Sequence, residues 1–354
     1  MKRSLSPVLP AALALAALAV PGPARAQRSL ELPAPEFPAG AAWMNSQPFT
    51  LARLKGRRVV VIAFINTNSV ASLRVLPAIE RWWEEYALDG LMLIGVHTPD
   101  YDFDRDPLRL RKEIKRFKMK FPIVIDSQRE IWKAYANEGW PAFFLIDPAG
   151  RIVLERLGEA QAGGFERAIL EALEKFNGFR RAQQLPEEPA RGGCGQATRP
   201  IYLGSRRGAK VISLSKLKVE TLGESRDGEV AVAGPWSMEP DGMRAAEGGE
   251  AGAKMRLIYR GSESLAVISR TGNRLARIYL KQDTLWLHSG NAGADVRWDS
   301  SQHSYVQLAE PRLYYLTKNQ SGTMHELVLS PEDPGTAVHG FEFSDFCLND
   351  YPHD

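Results

Sequence analysis

The stretch 59-VVVIAFINTNSVASLRVLP-77 decides the fold. Val59 to Phe64 is an unbroken apolar run, as expected of a strand buried on both faces. Leu73, Leu76, Ile79, Trp83 and Tyr86 then recur at helical spacing, which predicts a helix over Leu73–Tyr86. A strand that turns abruptly into a helix often carries a nucleophile at the turn. Here the turn offers Ser69 and Ser72. A serine hydrolase needs a base and an orienting acid. His97 is the only histidine before the second half of the chain, and no Gly-x-Ser-x-Gly elbow surrounds either serine. The simpler expectation is that Ser69, Ser72 or Asn68 caps the helix.

Outward from this stretch, strands and helices alternate between Arg57 and Lys175. Leu91–Val96 and Phe121–Ile125 read as strands. Asp106-Pro107 opens a basic helix, with proline at its first position. Arg129–Tyr135 reads as a short helix. Pro141–Asp147 and Ile152–Arg156 flank the turn Asp147-Pro148-Ala149-Gly150, and Phe165–Phe176 closes with a helix. This is an α/β domain with a late antiparallel hairpin. Residues 183–193 are rich in proline and glycine and read as a linker. From Ile201 onward short β-like runs recur, among them Lys254–Tyr259, Leu265–Ile268, Arg312–Leu316 and Met324–Leu329, which suggests a β-sandwich or jelly roll. The predicted organisation is a signal peptide over 1–26, an α/β domain over 35–178, a linker over 179–199 and a β-sandwich over 200–348.

The first 26 residues combine Lys2 and Arg3, an apolar run from Val8 to Val20, and Ala24-Arg25-Ala26. That is the three-part pattern of a secretory signal peptide, and its apolar run is too short to span a bilayer. The expected product is exported, periplasmic or extracellular, with no transmembrane segment. Loss of Lys2, Arg3 and Arg25 brings the 45 basic residues into balance with the 42 acidic ones. A neutral chain gives no case for binding nucleic acid. The two cysteines, Cys194 and Cys347, are too far apart for a redox Cys-x-x-Cys, leaving one structural bridge or none.

The motifs around the opening stretch carry a resemblance. Leu51-Ala52-Arg53-Leu54-Lys55-Gly56, Gly95-Val96-His97-Thr98-Pro99, Phe121-Pro122-Ile123-Val124-Ile125-Asp126 and 139-GWPAFFLIDPAGRIV-153 are similar to exported TlpA/DipZ-type thioredoxin-like domains. The second half resembles the DipZ jelly-roll module, built like a carbohydrate-binding module, through 200-PIYLG-204, 311-PRLYYL-316, 325-HELVLSPEDPG-335 and 340-GFEFSDF-346. The expected fold is a thioredoxin fold followed by an all-β sandwich. The family's active-site motif places Phe64 and Pro77 in register, but its two cysteine positions are Ser69 and Ser72 and its buried aspartate is Ala63. Disulfide exchange needs a thiolate and a resolving thiol, so dithiol chemistry is not expected at this turn. No cofactor is expected.

The resemblance makes Pro141 the cis-proline facing the turn, so Ser69, Val70, Trp140 and Pro141 would form a groove for an extended peptide or envelope protein. Trp83 fits the helical stripe, leaving Trp82 partly exposed as a candidate contact. His288, His303, His325, His339 and His353 show no metal-ligand spacing. Trp236, Trp286 and Trp298 are expected in or near the sandwich core, with a glycan platform as the alternative. If the first and last strands of the module are neighbours, a Cys194–Cys347 bridge would pin its ends, worth roughly 4–5 kcal/mol in the chain-entropy model.

Overall fold

The structure, a computed structural model, describes residues 32–159, 162–181, 197–208, 210–214, 226–247, 252–272 and 275–344. The signal-peptide segment, most of the linker, Cys194, Cys347 and their bridge lie outside the described residues.

The first domain runs β1 (Leu32–Pro33), β2 (Ala42–Met44), α1 (Leu51–Leu54), β3 (Val59–Ile65), α2 (Val70–Tyr86), β4 (Leu91–His97), a 3-10 turn (Asp102–Arg105) and α3 (Pro107–Arg116). It continues with β5 (Ile123–Ile125), α4 (Glu130–Ala134), β6 (Ala142–Ile146), β7 (Arg151–Leu157) and α5 (Ala162–Asn177). Its seven strands lie in the order β1-β7-β6-β3-β4-β5-β2. The opening stretch forms the centre: β3 is buried at every residue, parallel to β4 and antiparallel to β6. That explains its uninterrupted apolar run. The predicted hairpin is present, with Gly150 at φ +82°, a left-handed conformation that glycine adopts without Cβ strain.

Helix α2 begins earlier than its apolar period suggests, and its buried stripe differs from the expected one. Val75, Ile79, Trp82 and Tyr86 face inward. Trp82 is 0% exposed, packed between Phe143 of β6 and Phe165 of α5, whereas Trp83 is only partly buried. The expectation that Trp82 is a surface contact is therefore corrected. After Ile79 the helical period permits either the third or the fourth following residue to face the core, and the neighbouring α5 decides for the third.

The second domain contains β8 (Ile201–Tyr202), β9 (Val211–Leu214), β10 (Val230–Ala233), β11 (Trp236–Glu239), β12 (Gly242–Ala245), β13 (Lys254–Arg260) and β14 (Glu263–Arg270). Then follow β15 (Ala276–Gln282), β16 (Leu285–Trp286), β17 (Val296–Trp298), β18 (Ser304–Leu308), β19 (Arg312–Lys318), β20 (Met324–Pro331) and β21 (Thr336–Ser344). They form an eight-stranded sheet, β17-β18-β15-β20-β13-β10-β9 with β16 on β15, and a six-stranded sheet, β11-β12-β21-β14-β19 with β8 on β21. The first and last strands are thus neighbours. One core fills the space between the sheets, from Leu257, Tyr259, Ile278, Leu327, Phe341 and others.

The six-stranded sheet is covered on its other side as well. Leu265 and Val267 of β14 and Leu313 and Tyr315 of β19 join the apolar cluster of the first domain, alongside Val70, Leu73, Leu110 and Ile114. Burial on both faces accounts for a β14 in which only Arg270 is not fully buried. Among the described residues, no helix is long and apolar enough to cross a membrane.

Candidate functional site

Strand β3 ends beside two partners that define the site. Phe64 pairs with Ala142, which sets Pro141 next to the end of β3, and Ile65 pairs with His97. The chain then turns through Asn66, Thr67 and Asn68, all buried, before α2 starts. Side chains hold the turn together. The Asn66 N–H donates to Ser72 Oγ at 3.2 Å, and the Asn68 N–H to Asn66 Oδ1 at 2.7 Å. Ser69 is the N-cap in an extended conformation, and its Oγ accepts from the Ser72 N–H at 3.5 Å. Both hydroxyls are therefore used in starting the helix. At this long distance the cap is weak: Ser69→Ala is expected to cost about 0.5–1 kcal/mol in urea unfolding. A loss above about 2 kcal/mol would assign Ser69 a larger role.

The residue before the cap anchors the turn to a buried charge network. Asn68 Nδ2 donates to Asp104 Oδ1 at 2.7 Å, and Arg109 Nη2 donates to Asn68 Oδ1 at 2.9 Å. Arg109 Nη1 pairs with Asp104 Oδ1 at 2.8 Å, while Asp104 Oδ2 accepts from the N–H groups of Asp100 and Tyr101. From the same guanidinium, Nε reaches the Pro311 carbonyl of the second domain at 2.8 Å. His97 does not serve Ser69: it is buried, and its Nε2 lies 3.2 Å from the Asp104 carbonyl. Burial holds its pKa below the ordinary histidine value. Among the described residues, the hydrogen bond of the Ser69 hydroxyl runs to the Ser72 N–H and not to His97.

The Trp140–Pro141 peptide bond is cis. The Pro141 carbonyl accepts from the Gly158 N–H at 2.8 Å. Trp140 packs on Trp132 with ring centroids 4.5 Å apart, and the Arg129 guanidinium lies over both rings. The indole Nε1 of Trp140 is buried and has no acceptor among the described residues. Val70, the other expected groove residue, is 3% exposed. Its N–H donates to Glu342 Oε2 of β21 at 3.4 Å. The sandwich thus reaches the first turn of α2.

Further contacts surround that one. Arg74 bonds Ser344 and pairs with Glu263 at 3.8 Å. Lys112 pairs with Glu310 at 2.8 Å, Arg207 with Asp100 at 2.5 Å, and the Asp102 N–H donates to Asp241 at 3.1 Å. His339 packs edge-on against the stacked rings of Tyr101 and Phe103, with centroids 5.3 and 5.1 Å away. It hydrogen-bonds Ser269 Oγ through Nε2 and the Asp241 carbonyl through Nδ1, both at 2.7 Å. None of these residues was singled out from sequence except His339. Glu342, between Phe341 and Phe343, reads as the solvent face of an alternating strand.

The expected tryptophans of the sandwich lie at or near its surface. Trp236 packs partly against the core, and Trp298 is half-exposed with its Nε1 donating to the Leu287 carbonyl. Trp286 is stacked with His303 at 4.2 Å and carries the Lys281 ammonium 4.5 Å from its centroid, so its ring is already engaged within the chain. Among the described residues, no cluster of three His, Cys, Asp or Glu side chains is arranged to hold a metal ion.

Comparison with known proteins agrees with this architecture. Residues 31–154 match the AhpC/TSA family, and residues 198–344 match the thioredoxin like C-terminal domain. Protein DipZ of Mycobacterium bovis is 31% identical over 157 residues, 44% of this chain and 22% of DipZ. The chain thus spans about a fifth of the length of that relative. Thiol-disulfide oxidoreductase YkuV of Bacillus subtilis is 28% identical over 142 residues, 40% of this chain and 91% of YkuV. A thiol-disulfide isomerase from Corynebacterium glutamicum is similar in structure at 24% identity and a TM-score of 0.36, covering 40% of this chain and 96% of its own. Residues 31–154 are accordingly an AhpC/TSA-family redoxin domain of thioredoxin fold, and residues 198–344 a thioredoxin-like C-terminal domain.

Proposed function

We propose that the protein is an exported, redox-inactive member of this class that works by binding in the cell envelope. The observation that carries this reading is the use of both hydroxyls at the degenerate positions: Ser69 caps α2 and Ser72 holds the Asn66 N–H. The alternative is thiol–disulfide exchange, as named for the YkuV relative. It requires a thiolate at the turn and a second thiol to resolve the mixed disulfide, and serine supplies neither. Export is supported by the charged, apolar and small-residue pattern of the first 26 residues.

The binding surface we favour is the groove beside the cis peptide. The partly buried rings of Trp140 and Trp132, with the Arg129 guanidinium over both, form the wall against which an extended peptide would lie. The Val70 side of the groove is covered by the protein's own second domain, so a ligand approaches from the Trp140 side.

Two measurements test this. In an insulin-reduction assay with dithiothreitol the purified protein is expected to give no rate above the reductant alone. Turnover with Ser69 and Ser72 intact would overturn the reading. A cysteine-free unfolded polypeptide, followed by fluorescence anisotropy, is expected to bind at least about tenfold more weakly to Trp140→Ala. Equal affinity of the variant and the parent would remove the groove from the proposal.

A further inference from the structure

The contact between the domains contains an ionisable group that neither domain requires for its own core. Phe341 and Phe343 of β21 turn into the sandwich, so Glu342 between them faces the thioredoxin domain. It is partly buried there, and it accepts a hydrogen bond from the Val70 N–H. We propose that Glu342 makes the docking of the sandwich on the Ser69–Ser72 turn acid-tightened: the uncharged carboxyl group closes the cover, and loss of its proton loosens it and frees the start of α2.

The surroundings favour the uncharged form. Asp100, from the loop after β4, and Glu159, after β7, bring negative charge toward it. Arg74 of α2 is the cation that would favour the carboxylate, but it is shared with Glu159 at 3.0 Å and Glu263 at 3.8 Å. Arg207 is engaged by Asp100 and lies over the Tyr202 ring, 4.2 Å from its centroid. The Tyr101 and Tyr202 hydroxyls are also near and stay neutral, each held above the ordinary tyrosine value by burial. Burial, opposed by the Val70 hydrogen bond and reinforced by Asp100, pushes Glu342 up to about 8 from an ordinary 4.5. Its residual opening to solvent provides a route for the proton.

The direction follows from proton linkage. Below pH 4.5 the group is protonated whether the domains are docked or apart. Between 4.5 and about 8 the undocked form gives up its proton and the docked form keeps it. Docking therefore weakens with rising pH across that window and changes no further above it. His339 sits in the same contact, hydrogen-bonded to Ser269, so only the difference between parent and variant isolates Glu342.

The test is hydrogen exchange of the 66–76 segment in the full chain and in Glu342→Gln, corrected for intrinsic rates, from pH 4.5 to 9. The opening constants of the two proteins are expected to coincide at the acid end. The parent's is then expected to rise relative to the variant's by up to about tenfold per pH unit and to level off near pH 8. A constant ratio over the whole range would overturn the proposal. A second measurement is independent of the variant's folding. Infrared spectra of the parent are expected to show a protonated-carboxyl band that persists at pH 7 and is lost near pH 8. Loss of all protonated carboxyl below pH 6 would equally overturn it. Neither result depends on whether the Trp140 groove binds peptide.

Discussion

Arg109→Ala is expected to destabilise the protein by about 3–5 kcal/mol, measured by urea unfolding at neutral pH. Arg109 is 6% exposed and Asp104 1%, so removing the guanidinium leaves a carboxylate in a site that water hardly reaches. Asp104 would keep the Asn68 amide and the N–H groups of Asp100 and Tyr101, which soften the penalty without cancelling the charge. The same substitution frees the Asn68 carbonyl oxygen and breaks the bond to Pro311. Its effect should therefore reach both domains: faster hydrogen exchange in the 66–76 turn together with the 309–313 segment. Arg109→Lys is expected to recover less than half of the loss, since an ammonium cannot serve Asp104, Asn68 and Pro311 in one planar fork. A loss below about 1 kcal/mol for Arg109→Ala would mean that the network relaxes or admits water, and that the pair is not what fixes the turn.

The sequence speaks clearly where a local period has a single solution. Val59–Ile65 could be read as a central strand because burial on both faces leaves no alternation to confuse, and the helix after it follows from Leu73, Leu76 and Ile79. The pairing of β11 with β12 also had a local signal, Pro240-Asp241 followed by Gly242, which the reading of short β runs passed over. What the sequence conceals is which solvent-like face meets the other domain. Glu342 alternates with Phe341 and Phe343 as a water-facing residue would, yet its face lies on α2. Asn68, Asp104, Arg109 and Pro311 are too distant in the chain for any period to connect them. The missing cysteines are visible at once from the motif. That the serines in their place hold the turn, and that a second domain covers it, are facts of tertiary structure.

The choice between Trp82 and Trp83 shows the same division and yields a sharp measurement. Neighbouring helical residues diverge by about 100°, so one indole faces inward at the expense of the other. Trp82 is fully enclosed, with the Phe143 and Phe165 rings at 5.7 and 5.8 Å. Truncating it removes the largest side chain from the junction of α2, α5 and β6, all rigid elements that cannot readily close the gap. Trp82→Ala is expected to cost about 3–5 kcal/mol, and Trp82→Phe about half of that. Trp83→Ala, which strips only a partly buried ring, is expected to stay below about 1.5 kcal/mol. Urea unfolding of the three variants decides the matter. A reversed order, with Trp83→Ala the more damaging, would mean that α2 is rotated by one residue about its axis. The Ser69 cap and the Val70–Glu342 contact would then turn with it, and the account of the covered active-site turn would fall as well.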